Sequence, residues 1–341
     1  MTNALAPLLQ ALHARTRPAT PLLEPAFADM LRGEASDAQI GACLMGLEWL
    51  GPDTDLLVAG ARAMRAAMTT VAVAQPCIDV CGTGGDGAHT LNVSTAVSFV
   101  LAGCGLHVAK HGNRAMSSKS GAADVLEALG VNLGLDPGQA ATAIDTIGIA
   151  FLFAQAHHPA MAHVGPVRRA LGFRTIFNLL GPLCNPAGAT FQLLGVATPD
   201  LLLPMAHALR ALGCEAAWVV HGDGGIDEIA LSGPTRVAAL SNGAIDCFDI
   251  SPEDAGLSRQ PLSTLRGGDA ATNAQALRAL LMGVAGPYRD CVCLNAAAAL
   301  VLSGRAEDLV KGVALAGHAI DSGAALGALT RLVAFSNGQL P

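Results

Sequence analysis

The chain has 341 residues, 27 Asp and Glu against 20 Lys and Arg for a net charge of −7, only 14% charged residues and 4% aromatics. Acidity and a scarcity of stacking side chains exclude a general nucleic-acid binder. The mean hydropathy of +0.45 raises the question of a membrane protein, but the most apolar run, Cys291 to Leu302, is too short for a bilayer span and carries Asn295.

The N-terminal stretch MTNALAPLLQALHAR has its charge after the apolar residues, the reverse of a secretory signal. Nine scattered cysteines, with no C-x-x-C pair, read as reduced and mostly buried. A soluble, cytoplasmic chain follows as the expectation, without membrane or nucleic-acid partners. Its length suits one large domain or two ordinary ones.

In chain order, the first 70 residues read as helices. Ser36 and Gln39 form a capping-box pair before Ile40, Leu44 and Leu47, and Gly51-Pro52 closes the segment. A second helix places Leu57, Ala61, Met64 and Met68 on one face. Val71 to Pro76 reads as an extended connector, so a boundary is expected there.

From Cys77 strands and helices alternate. Strands are expected at Ile78–Cys81 and Leu106–Ala109, and helices at Val93–Ala102 and Ala122–Leu129, the latter stopped by Gly130. Leu193–Ala197 and Ala217–His221 are further β-rich runs with a helix between them. This alternation predicts an α/β domain with a mainly parallel central sheet and binding loops at the carboxyl ends of its strands.

Five polar segments carry the chemistry. Gly82-Thr83-Gly84-Gly85-Asp86-Gly87 follows the first strand and formally matches G-x-G-x-x-G. A dinucleotide fold would need an acid at the end of the second strand, where Lys110-His111 stands. A plain glycine-rich turn is the simpler alternative. Asn92-Val93-Ser94-Thr95 then opens a helix, which suits either phosphate oxygens or ordinary N-capping. No Asp or Glu occurs from Gly87 to Ala123, and Lys110, Arg114 and Lys119 stand at the far end of that stretch. In an acidic chain such an island suits a small polyanion, although a solvated basic loop would look similar.

His221-Gly222-Asp223-Gly224-Gly225-Ile226-Asp227-Glu228 follows another β-rich run and offers adjacent carboxylates, hard ligands of the kind Mg²⁺ takes together with substrate phosphates. The segment His157 to Arg169 holds His157, His158 and His163 but lacks a zinc pattern. Arg168 there suits either a carboxylate clamp or a surface salt bridge.

Taken together, GTGGDG (82–87), NVST (92–95), KHGNRAMSSKSG (110–121), HPAMAHVGPVRRALGFRTIFNLLGPLCNP (158–186) and HGDGGIDEI (221–229) resemble the anthranilate phosphoribosyltransferase family. The order, spacing and total length fit across almost the whole chain. The resemblance implies a small all-helical domain, residues 1–70 completed by an insertion near 168–188. A hinge at 71–76 would join it to an α/β domain of 77–167 and 189–341, with the active site in the cleft between them. It implies a homodimer formed through the helical domain, and transfer of phosphoribose from 5-phosphoribosyl 1-pyrophosphate to the amino group of anthranilate in tryptophan biosynthesis.

Carried over by motif, the donor would be held by Gly82, Gly85, Asp86, Thr90, Asn92, Val93, Ser94, Thr95, Ala122 and the run Lys110, His111, Gly112, Asn113, Arg114, Ala115, Met116, Ser117 and Ser118. Mg²⁺ would be held by Ser94, Asp227 and Glu228. Asn113 and Arg168 would face anthranilate, with Lys110 stabilising the leaving group. Cys81 and Gln155 depart from the family's usual aliphatic residue and proline.

Two neighbouring classes fit less well. A pyrimidine nucleoside phosphorylase would carry a loop like K-H-S-T-G-G-V-G-D, which is absent, and a nucleic-acid-binding relative would have lost the GTGGD and DE motifs.

Overall fold

The computed structural model describes residues 4–115 and 119–339. The expected substrate contacts Met116, Ser117 and Ser118 lie outside the described residues. Four helices open the chain: α1 (Leu5–His13), α2 (Thr20–Arg32), α3 (Asp37–Leu50) and α4 (Thr54–Ala66). At the start of α3 the Gln39 N–H donates to the Ser36 hydroxyl at 3.3 Å, and the Ser36 N–H donates to Gln39 Oε1 at 3.0 Å. The face Ile40, Leu44 and Leu47 is buried, as its spacing predicts. Ser36→Ala leaves a helix-end N–H without its acceptor and is expected to cost about 1 kcal/mol. The check is a lower urea midpoint at unchanged slope. Helix α4 buries Leu57, Ala61 and Met64 but ends at Ala66, so Met68 lies beyond the helix and not on its face.

The remaining elements are β1 (Cys77–Gly82), α5 (Val93–Gly103), β2 (His107–Gly112), α6 (Ala122–Ala128), α7 (Pro137–Ile147), β3 (Ile149–Phe153), α8 (Ala154–His157), α9 (Met161–Leu171), α10 (Phe177–Leu180), β4 (Phe191–Gly195), α11 (Leu202–Ala211), β5 (Ala216–Gly222), β6 (Thr235–Ser241), β7 (Ala244–Ile250), α12 (Ala270–Leu281), α13 (Pro287–Leu302), α14 (Leu309–Asp321) and α15 (Ala324–Ser336). One sheet runs in the order β3-β2-β1-β4-β5-β6-β7. Strands β1 to β5 are parallel, and β6 and β7 extend the edge antiparallel. This is the mainly parallel sheet that the alternation predicts. After β1 the chain builds outward through β2 and β3, then returns to the other side with β4. The crevice at the carboxyl ends of β1 and β4 is therefore the switch point where such sheets bind ligands.

Strand β2 runs three residues past its expected end. Lys110, His111 and Gly112 pair with Phe151, Leu152 and Phe153 of β3, a strand the sequence reading did not isolate. Lys110 and His111 are thus buried strand residues and not the start of an exposed loop.

Alternate residues face two cores. Leu193, Val220 and Val237 join α5, α13 and α15 on one face. Leu194, Val219 and Ala238 join α11 on the other, in a core continuous with α2 to α4 and with Val164 of α9 and Phe177 of α10. Phe27 meets Phe177 edge-on at 5.8 Å between centroids. The opening helices and the segment from α9 to α10 therefore share one apolar body.

The apolar run at Cys291 is the interior of α13, buried from Cys291 to Leu300. Among the described residues no single helix is long and apolar enough to cross a membrane, and the one pair that reaches the length, α14 with α15, bends by 58°.

Candidate active site

Strands β1, β4 and β5 lie side by side and end in Gly82, Gly195 and Gly222. The segment carrying Asp227 and Glu228 crosses directly over them. A Cβ at Gly82 would fall 2.2 Å from Asp227 Oδ2, one at Gly195 1.6 Å from the Asp227 carbonyl oxygen, and one at Gly222 2.4 Å from the Glu228 carbonyl oxygen. Only hydrogen fits at these positions. The exit of the segment is clamped by Asn295, fully buried in α13, which accepts from the Ile229 N–H at 2.9 Å and donates to the Ile229 carbonyl at 3.0 Å. The one polar residue in the most apolar run of the sequence thus anchors the carboxylate turn.

The two carboxylates meet the glycine-rich loop and the N-terminus of α5. The Gly84 N–H donates to Asp227 Oδ2 at 2.6 Å, and the Ser94 N–H donates to Glu228 Oε1 at 3.2 Å. Withdrawal from water pushes both carboxyls up from their ordinary range. Asp86 adds repulsion at Asp227, and Asp227 adds it at Glu228, while Lys110 partly offsets the effect on Glu228. Crowded carboxylates that resist ionisation are what a divalent cation relieves, and their oxygens with the Ser94 hydroxyl are the hard donors Mg²⁺ prefers. Among the described residues no three His, Cys, Asp or Glu side chains could hold a metal by themselves. A cation here would need further oxygen ligands from water or a phosphorylated substrate, a common arrangement for Mg²⁺.

Lys110 lies beneath this cluster. Its amine donates to Ser94 Oγ at 3.3 Å and to the Val80 carbonyl, and its charge acts on Glu228 and Asp79. Asp79 is fully buried and accepts from the His111 N–H at 3.2 Å and from Asn185 Nδ2 at 2.8 Å. His111 and His158 face each other with 3.3 Å between their Nε2 atoms. Burial lowers both imidazoles, His158 to about 4, so both are neutral at pH 7. His157 turns to the Thr69 carbonyl at 3.0 Å, and His163 packs beside Gly33. The three histidines of that segment do not converge.

The other expected residues divide into open and committed. Asn113 is exposed and its Oδ1 accepts from the Arg114 N–H at 2.8 Å. The Arg114 guanidinium is paired with Asp124 at 3.1 Å and Glu127 at 2.7 Å. The acid-free stretch is therefore not acid-free in space, because α6 folds its first acids back onto it. Asp124 also accepts from the N–H groups of Ala115 and Gly121, both at 2.9 Å. Ala122 is the first residue of α6. Asn92 Oδ1 accepts from Asn273 at 2.8 Å, Thr90 bridges to Arg266, and Val93 and Thr95 are buried. Cys81 closes with a contact from Gln192 at 3.3 Å, and Gln155 is exposed on α8.

Arg168 has no carboxylate partner among the described residues, so the surface salt bridge alternative does not hold. It donates to Asn178 Oδ1 at 3.0 Å and lies 5.6 Å from the Phe177 ring centroid. A charged group held only by an amide and a ring remains able to bind an anion.

Sequence reasoning assigned no role to Arg174. This side chain reaches from the connection between α9 and α10 to the glycine-rich loop, where Nη2 donates to the Thr83 carbonyl at 2.9 Å. The available signal was a second acid-free stretch. No Asp or Glu stands between Asp145 and Asp200, while Arg168, Arg169 and Arg174 all do.

Comparison with known proteins follows the same lines. Residues 74–326 match the model of the glycosyl transferase family a/b domain, and residues 21–68 that of the family's helical bundle domain. An anthranilate phosphoribosyltransferase of Rhodopseudomonas palustris (strain HaA2) is 56% identical over 91% of this chain and 92% of its own. The crystal structure of anthranilate phosphoribosyltransferase from Thermus thermophilus aligns with a TM-score of 0.92 at 43% identity, covering 98% of this chain and 100% of that one. The Saccharomyces cerevisiae enzyme in complex with PRPP and Mg aligns with a TM-score of 0.91 at 26% identity over 99% of both chains.

Proposed function

The chain belongs to the anthranilate phosphoribosyltransferase family, and we propose that it transfers phosphoribose from 5-phosphoribosyl 1-pyrophosphate to the amino group of anthranilate, releasing pyrophosphate, as a step of L-tryptophan biosynthesis. One observation carries the reading at the level of chemistry. A glycine-rich loop, a helix N-terminus and a crowded carboxylate pair meet at the sheet's switch point.

The aryl amine of anthranilate is neutral at pH 7. Its lone pair attacks the anomeric carbon of the ribose, the bond to the pyrophosphate oxygen breaks with its electron pair, and the amine then gives a proton to water. No strong nucleophile is required. The difficulty lies in orientation and in the charge that builds on the leaving group. Mg²⁺, held by Asp227, Glu228 and the Ser94 hydroxyl, would neutralise pyrophosphate charge.

Gly82, Gly85 and Asp86 would receive the donor from one side, and Thr90, Asn92, Val93, Ser94 and Thr95 from the α5 end. His111 to Ala115 with Ala122 would complete its surround. Lys110, whose amine reaches Ser94, would act through that hydroxyl and Glu228. Asn113 and Arg168 would orient anthranilate.

We place the active site between a helical domain (1–70 with the segment near 168–188) and an α/β domain (77–167 and 189–341), joined by a hinge at 71–76. Met45 and Trp49 on α3 are 50% and 67% exposed, an apolar pair suited to burial in a homodimer through the helical domain. We assign the enzyme to the cytoplasm.

Anthranilate fluorescence tests the reading. A decay that requires the protein, phosphoribosyl pyrophosphate and Mg²⁺, and stops with EDTA, is the expected result. Steady fluorescence with folded protein would remove anthranilate as the acceptor. Arg168→Ala is expected to raise the KM for anthranilate by about 10- to 100-fold, the worth of one charge-assisted contact, with little change for the donor. An effect confined to the donor would place Arg168 on the wrong substrate.

A further inference from the structure

We propose that Arg174 is a second guanidinium of this site and binds the phosphate groups of the phosphoribosyl donor where they lie on the glycine-rich loop. The proposal rests on the reading of the site as a phosphoribosyl pyrophosphate site and adds a residue to it.

Arg174 stands in the connection between α9 and α10, on the apolar body shared with the opening helices, yet its side chain ends on the loop after β1. One N–H group is used on the Thr83 carbonyl at 2.9 Å. The guanidinium also packs against Gly85, where a Cβ would fall 1.7 Å from Nη1. The absence of a side chain at Gly85 therefore makes room for this arginine as well as for the turn. No carboxylate lies within ion-pair distance of it among the described residues. A guanidinium carries five donors in a planar fork, and the single carbonyl uses one of them.

Charge balance points the same way. Arg168 and Arg174 are close enough that the charge of Arg174 works against that of Arg168. The segment that carries them has no acid of its own from Asp145 to Asp200. Two like charges this close, neither paired with a carboxylate among the described residues, are reconciled by an anionic ligand.

The two arginines differ in what they touch. Arg168 is turned to Asn178 and Phe177 of α10, whereas Arg174 lies on the backbone of the loop beside Asp227. The phosphates of the donor, drawn to that loop by its N–H groups and by the metal, would meet the Arg174 fork, which matches phosphate oxygens two at a time. The donor would then be gripped at once from the strand-end loops and from the connection between α9 and α10.

The test compares Arg174→Ala and Arg174→Lys with the unchanged enzyme at fixed Mg²⁺, varying each substrate in turn and measuring inhibition by inorganic pyrophosphate. The alanine variant is expected to raise the KM for phosphoribosyl pyrophosphate by about 10- to 100-fold and to weaken pyrophosphate inhibition by a similar factor. The lysine variant should recover part of both, and the KM for anthranilate should stay within about twofold. A role confined to tying the loop to the helical body would lower the melting temperature and kcat but leave pyrophosphate inhibition unchanged. That result, or an effect on anthranilate alone, overturns the assignment while leaving the proposed function standing. Unchanged enzyme that neither turns over the donor nor binds pyrophosphate overturns both.

Discussion

Asp227→Asn with Glu228→Gln is expected to lower kcat by about 10²- to 10³-fold, the scale on which removal of a preorganised charge-stabilising group acts, and to move the Mg²⁺ titration to higher concentration. The amides keep the shape of the carboxylates and retain a carbonyl oxygen for the N–H groups of Gly84 and Ser94, so the turn over Gly195 has no steric reason to move. What is lost is charge.

Stability should respond in the opposite direction to activity. Both carboxyls are raised in the folded protein, so the folded state holds protons that the unfolded chain has released. The metal-free protein is then expected to lose stability as pH rises from the ordinary carboxylate range towards about 8, the value to which Glu228 is pushed. The amide variant should lack that slope and melt no lower than the parent. Mg²⁺ should raise the melting temperature of the parent, through binding to the folded state only, and not that of the variant. Equal Mg²⁺ titrations for the two proteins would remove Asp227 and Glu228 from the metal site.

Gly195→Ala is the second large effect. The added methyl would sit 1.6 Å from the Asp227 carbonyl oxygen, a backbone atom, not the tip of a flexible side chain. Neither side can give easily. Gly195 ends a strand paired on both edges, with β1 and β5, and the Asp227 segment is anchored two residues on by Asn295. The segment must lift by an ångström or more, which is expected to cost about 1–3 kcal/mol of stability. Turnover should fall by about 10²-fold, because misplacement of that size is enough to spoil an aligned site. The measurements are a denaturant midpoint and kcat on the same preparation. Normal stability together with normal kcat would mean that the carboxylate turn is not held against β4 in solution.

Some of this molecule is legible in its residues and some is not. The Ser36–Gln39 pair announces α3 because both halves of the cap lie within one turn of helix. The loop after β1 and the carboxylates after β5 stand out because glycine clusters and adjacent acids are unusual after apolar runs. Strand β3 escaped because IAFLF is a continuous apolar run without alternation, buried on both faces. Helix α13 is likewise buried almost all round and shows no clear polar face. Arg114 reads in the sequence as part of an island without acids, and its pairing with Asp124 and Glu127 is invisible there because those acids lie just past the end of the stretch and turn back onto it.

The sequence by itself determined the class of chemistry, because glycine loops, hydroxyls, cations and a carboxylate pair in this order are recognisable wherever the chain places them. It also determined the helix caps and the alternation that makes a parallel sheet, which depend on residues a few positions apart. Only the tertiary structure decided which charge meets which. The Gly84 N–H reaches Asp227 across 143 residues and Arg174 reaches Thr83 across 91. Such pairings follow from the order of strands in the sheet and from the glycines that let one segment cross over three strand ends. No local pattern encodes that order, because it is selected by the burial of both sheet faces at once.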